Sequence, residues 1–184
     1  MIPAFEVASM LARALDAGGI PYAIGGAIAL GVWSDPRSTY DVDINLFVEG
    51  AELERAFDVL EGAGVVLDRQ RALAAAADGD VIVGRLAGMR VDVFAPSIPF
   101  SFEAMRTRRR VRGPLGEAAY LSPEASAVFK LLFFRAKDLV DVEKLLVVQG
   151  DAIDRAYIRR WLVEMMGDDD DRITAWDAMC ARHP

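Results

Sequence analysis

The spacing of apolar and polar residues divides the chain into a mixed front part and a helical rear part. In the front part, helical spacing predicts helices over 4–17, 27–33, 51–61 and 101–107. Period-two alternation and short apolar runs predict strands over 22–24, 40–48, 65–67, 80–86, 89–94, 108–111 and 118–121. The strands at 80–86 and 89–94 flank Ala87-Gly88 and form a predicted hairpin. Residues 70–77 are alanine-rich, and their pattern does not distinguish helix from loop.

The rear part begins at Ser122-Pro123, which fits a helix cap followed by proline at the first helical position. The helices predicted beyond it span 123–135, 138–148, 154–166 and 170–181. The prediction is therefore an α+β fold, with a small mixed sheet flanked by helices in residues 1–121 and a helical region in residues 122–184.

Composition and charge exclude several classes of protein. Apolar residues make up 53% of the 184 residues, which is typical of a globular chain and not of a disordered one. A single cysteine, Cys180, excludes an internal disulfide framework. No apolar run approaches the roughly 20 residues that span a bilayer, and the N-terminus lacks the pattern of a signal peptide. We therefore expect no membrane partner and a cytoplasmic location.

The segment from Gly25-Gly26 to Val48 contains the clearest chemical signal. It opens with a glycine pair and ends in an apolar strand that contains Asp41 and Asp43. Side chains two residues apart on a strand point to the same face, so these two carboxylates are neighbours. Two like charges side by side repel each other, and a divalent cation between them removes the repulsion. Hard oxygen ligands of this kind favour Mg²⁺.

A third carboxylate, Asp92, lies in the apolar strand Val91-Asp92-Val93-Phe94. If this strand lies beside the strand of Asp41 and Asp43, three carboxylates meet on one face of the sheet. Three such ligands suit two Mg²⁺ ions about 4 Å apart, an arrangement that supports in-line phosphoryl transfer. The alternative is that Asp92 is a hairpin charge facing solvent.

These motifs, in this order, resemble the DNA polymerase beta-type nucleotidyltransferase superfamily. The shared features are Gly25-Gly26, then Arg37-x-Thr39-x-Asp41-x-Asp43, then the apolar strand around Asp92. Leu121-Ser122-Pro123-Glu124, Lys130-Leu131 and the run from Arg135 to Asp141 resemble the AbiEii/MenT-type branch. That branch contains stand-alone nucleotidyltransferases, several of them toxins of toxin–antitoxin pairs. The resemblance covers roughly residues 20–165, and the chain is short for the branch.

For the nucleotide, the resemblance implies binding residues near the glycine pair. Gly25 and Gly26 would let backbone N–H groups approach a nucleoside triphosphate such as ATP. Ser38 and Thr39 would hydrogen-bond its phosphates, and Arg37 would pair with a phosphate or with an acceptor nucleic acid. The alternatives are an ordinary strand-to-helix turn, simple loop hydroxyls and a surface ion pair.

For catalysis, the resemblance implies that Asp41, Asp43 and Asp92 bind the metal, Mg²⁺ or Mn²⁺. Asp92 would also act as, or orient, the base that deprotonates the acceptor hydroxyl. Lys130, in an apolar helix, would contact phosphate or assist proton transfer, unless it snorkels from the helix edge. Asp138 and Asp141 of the following helix would position Arg135 or Lys130, or belong to the active site. Of the two, Asp138 is the one expected to be functional, with helix capping as the alternative.

The predicted reaction is transfer of a nucleoside monophosphate from a nucleoside triphosphate to an acceptor hydroxyl, with release of pyrophosphate. The first candidate acceptor is RNA, at a tRNA 3′ end, in a toxin-like enzyme with a possible antitoxin partner. Arg37 and five arginines between 106 and 112 favour it, although the cluster also fits a solvated strand edge. A small-molecule, antibiotic-type acceptor is the alternative, favoured by the net charge of −7. A non-catalytic regulatory module on the same fold is the third reading.

Overall fold

A seven-stranded mixed sheet is the main feature of the computed structural model, which describes residues 2–183. The strands are β1 Tyr22–Ile24, β2 Asp41–Leu46, β3 Val66–Leu67, β4 Ile82–Leu86, β5 Met89–Phe94, β6 Arg109–Gly113 and β7 Gly116–Tyr120. They lie in the order β3-β4-β5-β2-β1-β7-β6. The β2–β5 and β1–β7 pairs are parallel, and the other pairs are antiparallel. This mixed sheet with helices confirms the predicted α+β fold class.

The helices are close to those predicted from the apolar spacing. They are α1 Ala4–Ala17, α2 Gly26–Trp33, α3 Ala51–Gly62, α4 Arg69–Asp78, α5 Pro99–Thr107, α6 Pro123–Phe133, α7 Ala136–Gln149, α8 Arg155–Met166 and α9 Asp171–Arg182. A 3₁₀ turn, Gly150–Ala152, lies between α7 and α8. None of the helices within residues 2–183 is both long enough and apolar enough to span a membrane.

The two faces of the sheet differ in chemistry because the strands alternate. Val42 and Ile44 on β2, and Val91 and Val93 on β5, are at most 1% exposed and belong to the same core cluster as buried residues of α1 and α3. Burying such a side chain contributes about 1.5–3 kcal/mol, so a one-residue slip of either strand would be costly. The register is therefore fixed, and the intervening polar residues must lie on the opposite face.

The structure divides the chain into two compact units. The first unit consists of Met1–Ile28 and Ser38–Leu121, and it contains the whole sheet. The second consists of Ala29–Arg37 and Ser122–Pro184, so the division falls within α2. The sequence analysis assigned residues 29–37 to the front part instead, because no local pattern marks where α2 changes its packing.

The second unit is built around α6, which packs against α7, α8 and α9. Its core includes Leu131, Leu145, Ile158 and Trp176, all at most 1% exposed. The segment 29–37 is fixed to α7 by a hydrogen bond that the Gln149 amide donates to the Trp33 carbonyl. This segment is therefore part of the helical unit, although it lies between β1 and β2 in the sequence.

Candidate active site

The polar face of the sheet places the predicted metal ligands at neighbouring positions. In the parallel β2–β5 pair, Asp43 lies opposite Asp92 and Asp41 lies opposite Arg90. Partners across a pair of strands share a face of the sheet. The structure therefore brings Asp41, Asp43 and Asp92 onto one face, opposite the apolar core.

Each of these carboxylates has a close neighbour. The Thr39 hydroxyl donates to Asp41 Oδ1, and Arg90 Nε donates to Asp92 Oδ1 at 2.7 Å. Within residues 2–183, no three histidine, cysteine or acidic side chains are grouped closely enough to form a metal site. The donor set nevertheless fits a hard divalent cation, because three carboxylates of adjacent strands face the same side. The predicted metal role of these residues stays a prediction.

The glycine pair lies directly against this strand. The Gly25 N–H donates to the Asp43 carbonyl at 2.9 Å. Gly26 has a φ of +55°, and a Cβ at this position would lie 1.7 Å from Asp43 Oδ2. A Cβ on Gly25 would lie 2.5 Å from Asn45 Nδ2. Only glycine at both positions lets the turn that starts α2 pack against the Asp43 and Asn45 side chains.

The loop before β2 contains the other predicted nucleotide contacts. Ser38 is exposed and Thr39 is partly buried, and the Thr39 hydroxyl is the donor to Asp41 described above. Arg37, in the second unit, donates two hydrogen bonds to the Asp141 carboxylate at 3.2 and 3.1 Å. The structure thus gives Arg37 a carboxylate partner of its own, and its predicted contact with a phosphate is not tested.

In the second unit, Lys130 and Asp138 form the core of a buried charge network. Lys130 Nζ donates to Asp138 Oδ1 at 3.0 Å and to Asp141 Oδ2 at 2.8 Å. Arg135 Nε donates to Asp138 Oδ2 at 2.5 Å, and Arg37 donates to both carboxylate oxygens of Asp141. Lys130 is 8% exposed and Asp138 is fully buried. An unpaired lysine would be costly here, and two carboxylates offset that cost.

The network lowers the pKa of both carboxyl groups. Burial alone raises the pKa of Asp138, but hydrogen bonds from Arg135 and Lys130 hold it below its ordinary value. Burial likewise raises the pKa of Asp141, and hydrogen bonds from Arg37 and Lys130 outweigh it. Asp138 also accepts from the backbone N–H of Arg135 at 3.3 Å, so it caps α7 as well as pairing with Lys130. The capping alternative is therefore part of its role, and its predicted catalytic role is not tested.

Acid should destabilise the second unit through these two carboxyl groups. Their folded-state pKa values lie below the unfolded ones, so their stabilisation is complete above the unfolded pKa, about 4, and is lost as the pH falls below it. All three tryptophans, Trp33, Trp161 and Trp176, lie in this unit and report its unfolding by fluorescence. We expect the urea concentration at the midpoint of unfolding to decrease as the pH is lowered from 4.5 to about 3.

The matched comparison for this prediction is Arg135→Gln against Arg71→Gln. Arg135 is a hydrogen-bond donor to Asp138, whereas the Arg71 side chain is 89% exposed beside Asp68. Arg135→Gln should bring the folded-state pKa of Asp138 closer to its unfolded value. The variant should therefore be less stable at pH 7 and lose less stability on acidification, and Arg71→Gln should show neither change. An identical pH dependence in both variants would contradict the role assigned to the network.

The arginine cluster of residues 106–112 runs from the end of helix α5 into strand β6 at one edge of the sheet. Strand β6 is the last strand in the order. Arg110 pairs with Asp16 and Glu117 at 3.0 and 2.5 Å, and Arg106 pairs with Glu103 at 2.8 Å. Charged side chains on an edge strand also oppose pairing with other chains. This placement fits the solvated strand edge that the sequence left open.

Two residues beside the carboxylates were not singled out from the sequence. Arg90 binds Asp92, and the Arg90-x-Asp92 spacing on a strand signals a same-face pair. Asn45 continues the same-face series after Asp41 and Asp43 and is 8% exposed. Asn45 could have been found from the alternation of side chains along β2, because the residue two positions after Asp43 lies on the same face of the sheet.

Comparison with solved structures is informative about the fold. The crystal structure of ANT(2″)-Ia in complex with adenylyl-2″-tobramycin matches with a TM-score of 0.59 at 12% identity, over 98% of both chains. The fold is therefore similar to that of a nucleotidyltransferase. The solution structure of the antibiotic-resistance factor ANT(2″)-Ia gives a TM-score of 0.60 at 13% identity, over 99% of this chain and 100% of that one. A candidate nucleotidyltransferase from H. pylori gives a TM-score of 0.51 at 13% identity, over 95% of this chain and 80% of that one.

At these identities the similarity concerns the fold, and it does not extend to the AbiEii/MenT-type branch. No protein-family model matches the chain, and no curated protein sequence matches it significantly.

Proposed function

We propose that this chain is a nucleotidyltransferase that moves a nucleoside monophosphate from a nucleoside triphosphate to an acceptor hydroxyl. The observation that carries the proposal is the register of β2 and β5, with Asp41, Asp43 and Asp92 on one face beside the Gly25-Gly26 turn. Three neighbouring carboxylates repel each other. Arg90 offsets part of that repulsion through Asp92, and a divalent cation would offset more of it.

The chemistry assigned to these residues is in-line phosphoryl transfer. Asp41, Asp43 and Asp92 would hold Mg²⁺ or Mn²⁺, which neutralises charge that develops on the phosphoryl oxygens. Asp92 would accept or direct the acceptor's proton as the acceptor oxygen bonds to the α-phosphorus and the bond to pyrophosphate breaks. The glycine turn would place backbone N–H groups and the positive end of α2 beside the triphosphate. Ser38 and Thr39 would add hydroxyl donors.

A cationic small molecule is the acceptor that the observations favour. The net charge is −7, and two arginines of the 106–112 cluster, Arg106 and Arg110, are paired with carboxylates. The fold similarity to ANT(2″)-Ia covers nearly all of both chains. In one of those structures ANT(2″)-Ia is bound to adenylyl-2″-tobramycin. An acidic protein would attract a polycationic acceptor through its overall field.

An RNA 3′ end is the second candidate acceptor, and the predicted toxin-like role and antitoxin partner belong to it. The arginine-rich composition, with 18 arginines against three lysines, favours it because guanidinium groups pair with phosphates in a bidentate way. Contacts of this kind would make binding strongly dependent on salt.

Labelled nucleoside triphosphates test the reaction and separate the acceptors. The protein is incubated with Mg²⁺ or Mn²⁺, each α-labelled triphosphate, and either a tRNA pool or a panel of aminoglycosides and lincosamides. We expect label in a small cationic product together with pyrophosphate. Label at a tRNA 3′ end would support the second candidate instead.

Calorimetry with Mg²⁺ and each triphosphate tests the step that both acceptors share. Binding by the wild-type protein and its loss in Asp43→Asn are the expected results. The absence of binding to all four triphosphates would contradict the proposal and favour the non-catalytic reading.

A further inference from the structure

Four side chains form the corners of a rectangle on the polar face of the sheet. Asp41 and Arg90 are partners across β2 and β5, and Asp43 and Asp92 are the next same-face pair. Strand geometry sets the sides at about 4.8 Å between strands and about 6.6 Å along each strand. Three corners are carboxylates and the fourth is the guanidinium of Arg90. Arg90 therefore has a carboxylate opposite it on β2, Asp41, and another two residues along β5, Asp92.

The contact between Arg90 and Asp92 is short and sheltered. Arg90 Nε donates to Asp92 Oδ1 at 2.7 Å. The Asp92 side chain is only 13% exposed, whereas that of Arg90 is 44% exposed. A charge-assisted hydrogen bond to a mostly buried carboxylate is stronger than an ion pair in open solvent. The Arg90 side chain, in contrast, borders solvent along part of its length.

We propose that Arg90 is a positioning residue that holds the Asp92 carboxylate and competes with a divalent cation for it. This inference rests on the proposed function, because it concerns the same carboxylates. A guanidinium keeps its charge across the accessible pH range, so Arg90 cannot release Asp92 by losing a proton and has to be displaced. A cation that coordinates Asp92 Oδ1 would therefore have to displace Arg90, and the strength of the Arg90–Asp92 ion pair would reduce its affinity.

Arg85 provides a matched control on the neighbouring strand. It is the partner of Arg90 across β4 and β5, and the alternation of β4 places it on the same face. Arg85 Nη1 donates to the Gly88 carbonyl at 3.2 Å, which is a backbone contact. Replacing either arginine with glutamine removes one positive charge from the same face, but only Arg90→Gln breaks a bond to a predicted metal ligand.

The experiment measures Mn²⁺ binding directly, by electron paramagnetic resonance, in the absence of nucleotide. Wild type, Arg90→Gln, Arg90→Lys and Arg85→Gln are titrated after circular dichroism has established that each is folded. We expect Arg90→Gln to bind Mn²⁺ about three- to tenfold more tightly than wild type, as loss of a competing ion pair implies. Arg85→Gln should stay within about twofold of wild type. The Mn²⁺ affinity of Arg90→Lys should lie between those of the two glutamine variants, because an ammonium group keeps the positive charge but lacks the planar set of N–H donors of a guanidinium.

The outcomes separate this inference from the function on which it rests. Equal Mn²⁺ affinities in Arg90→Gln and Arg85→Gln, or weaker binding in Arg90→Gln, would overturn the role of Arg90 while leaving the metal site in place. If Arg90→Gln does not fold, Arg90→Lys decides the question alone, and an affinity equal to wild type would overturn the proposal. Mn²⁺ binding that is absent in wild type, or unchanged in Asp43→Asn, would overturn the metal site itself and this inference with it.

Discussion

Asp43→Asn should abolish nucleotidyl transfer while leaving the fold intact. We expect a loss of about 10³-fold or more in kcat/KM, because a carboxamide cannot supply the negative charge that a hard divalent cation needs. The carboxamide has nearly the same shape as the carboxylate, so it still fits beneath Gly26. Removing one of three neighbouring like charges also relieves repulsion, so the free energy of unfolding should not fall.

The measurement is the rate of pyrophosphate release with the preferred triphosphate and acceptor, with calorimetric binding of the Mg²⁺ complex as a second readout. Glu49→Gln is the control, because Glu49 is exposed and follows the same strand. It makes the same change in charge away from the polar face. A rate for Asp43→Asn within tenfold of the control, or unfolding of the variant, would contradict the assignment.

Gly26→Ala should be the most damaging substitution in the glycine turn. A non-glycine residue at a φ of +55° costs about 1–2 kcal/mol, and overpacking costs a further ~1–3 kcal/mol. The overpacking is severe here, because the added Cβ would lie 1.7 Å from Asp43 Oδ2. Either Asp43 or the turn must move, so we expect a loss of about 2–5 kcal/mol in unfolding free energy together with loss of triphosphate binding.

Gly50→Ala separates the two causes of this loss. Gly50 also has a φ of +55°, but a Cβ there would have nothing within 4 Å. It should therefore show only the conformational cost, with triphosphate binding unchanged. Chemical denaturation and calorimetry on both variants test the prediction. Equal losses of stability in the two variants, or normal triphosphate binding by Gly26→Ala, would show that contact with Asp43 does not matter.

Local pattern was sufficient for most of the elements. The hairpin of β4 and β5 follows from alternation on both sides of Ala87-Gly88, and both turn residues have positive φ as a tight hairpin requires. Helix α4, in contrast, was left open, because an alanine-rich run has no apolar stripe and only Ala72 is buried. Its end signals were present: Asp68 accepts from the Arg71 N–H, and Gly79 has a φ of +73°.

The arrangement of the candidate site was predictable only in part. That Asp41 and Asp43 share a face follows from strand geometry, but their pairing with Asp92 depends on which strands are neighbours. The partners of Lys130 were predicted only as one of several roles for Asp138 and Asp141, because these residues lie eight and 11 residues away on another helix. An apolar helix shows that a buried lysine needs a partner, and only the tertiary structure shows which residue provides it.

Residues 29–37 have a consequence for anyone who wishes to express the sheet without the helices. A fragment that stops at Leu121 would retain this segment but lose Gln149 and Asp141, which bind Trp33 and Arg37. Ala29 and Leu30, buried in the intact protein, belong to the unit that the truncation removes. Truncation after Leu121 would therefore expose apolar side chains of residues 29–37. A soluble fragment would also need a short polar linker in place of residues 29–37.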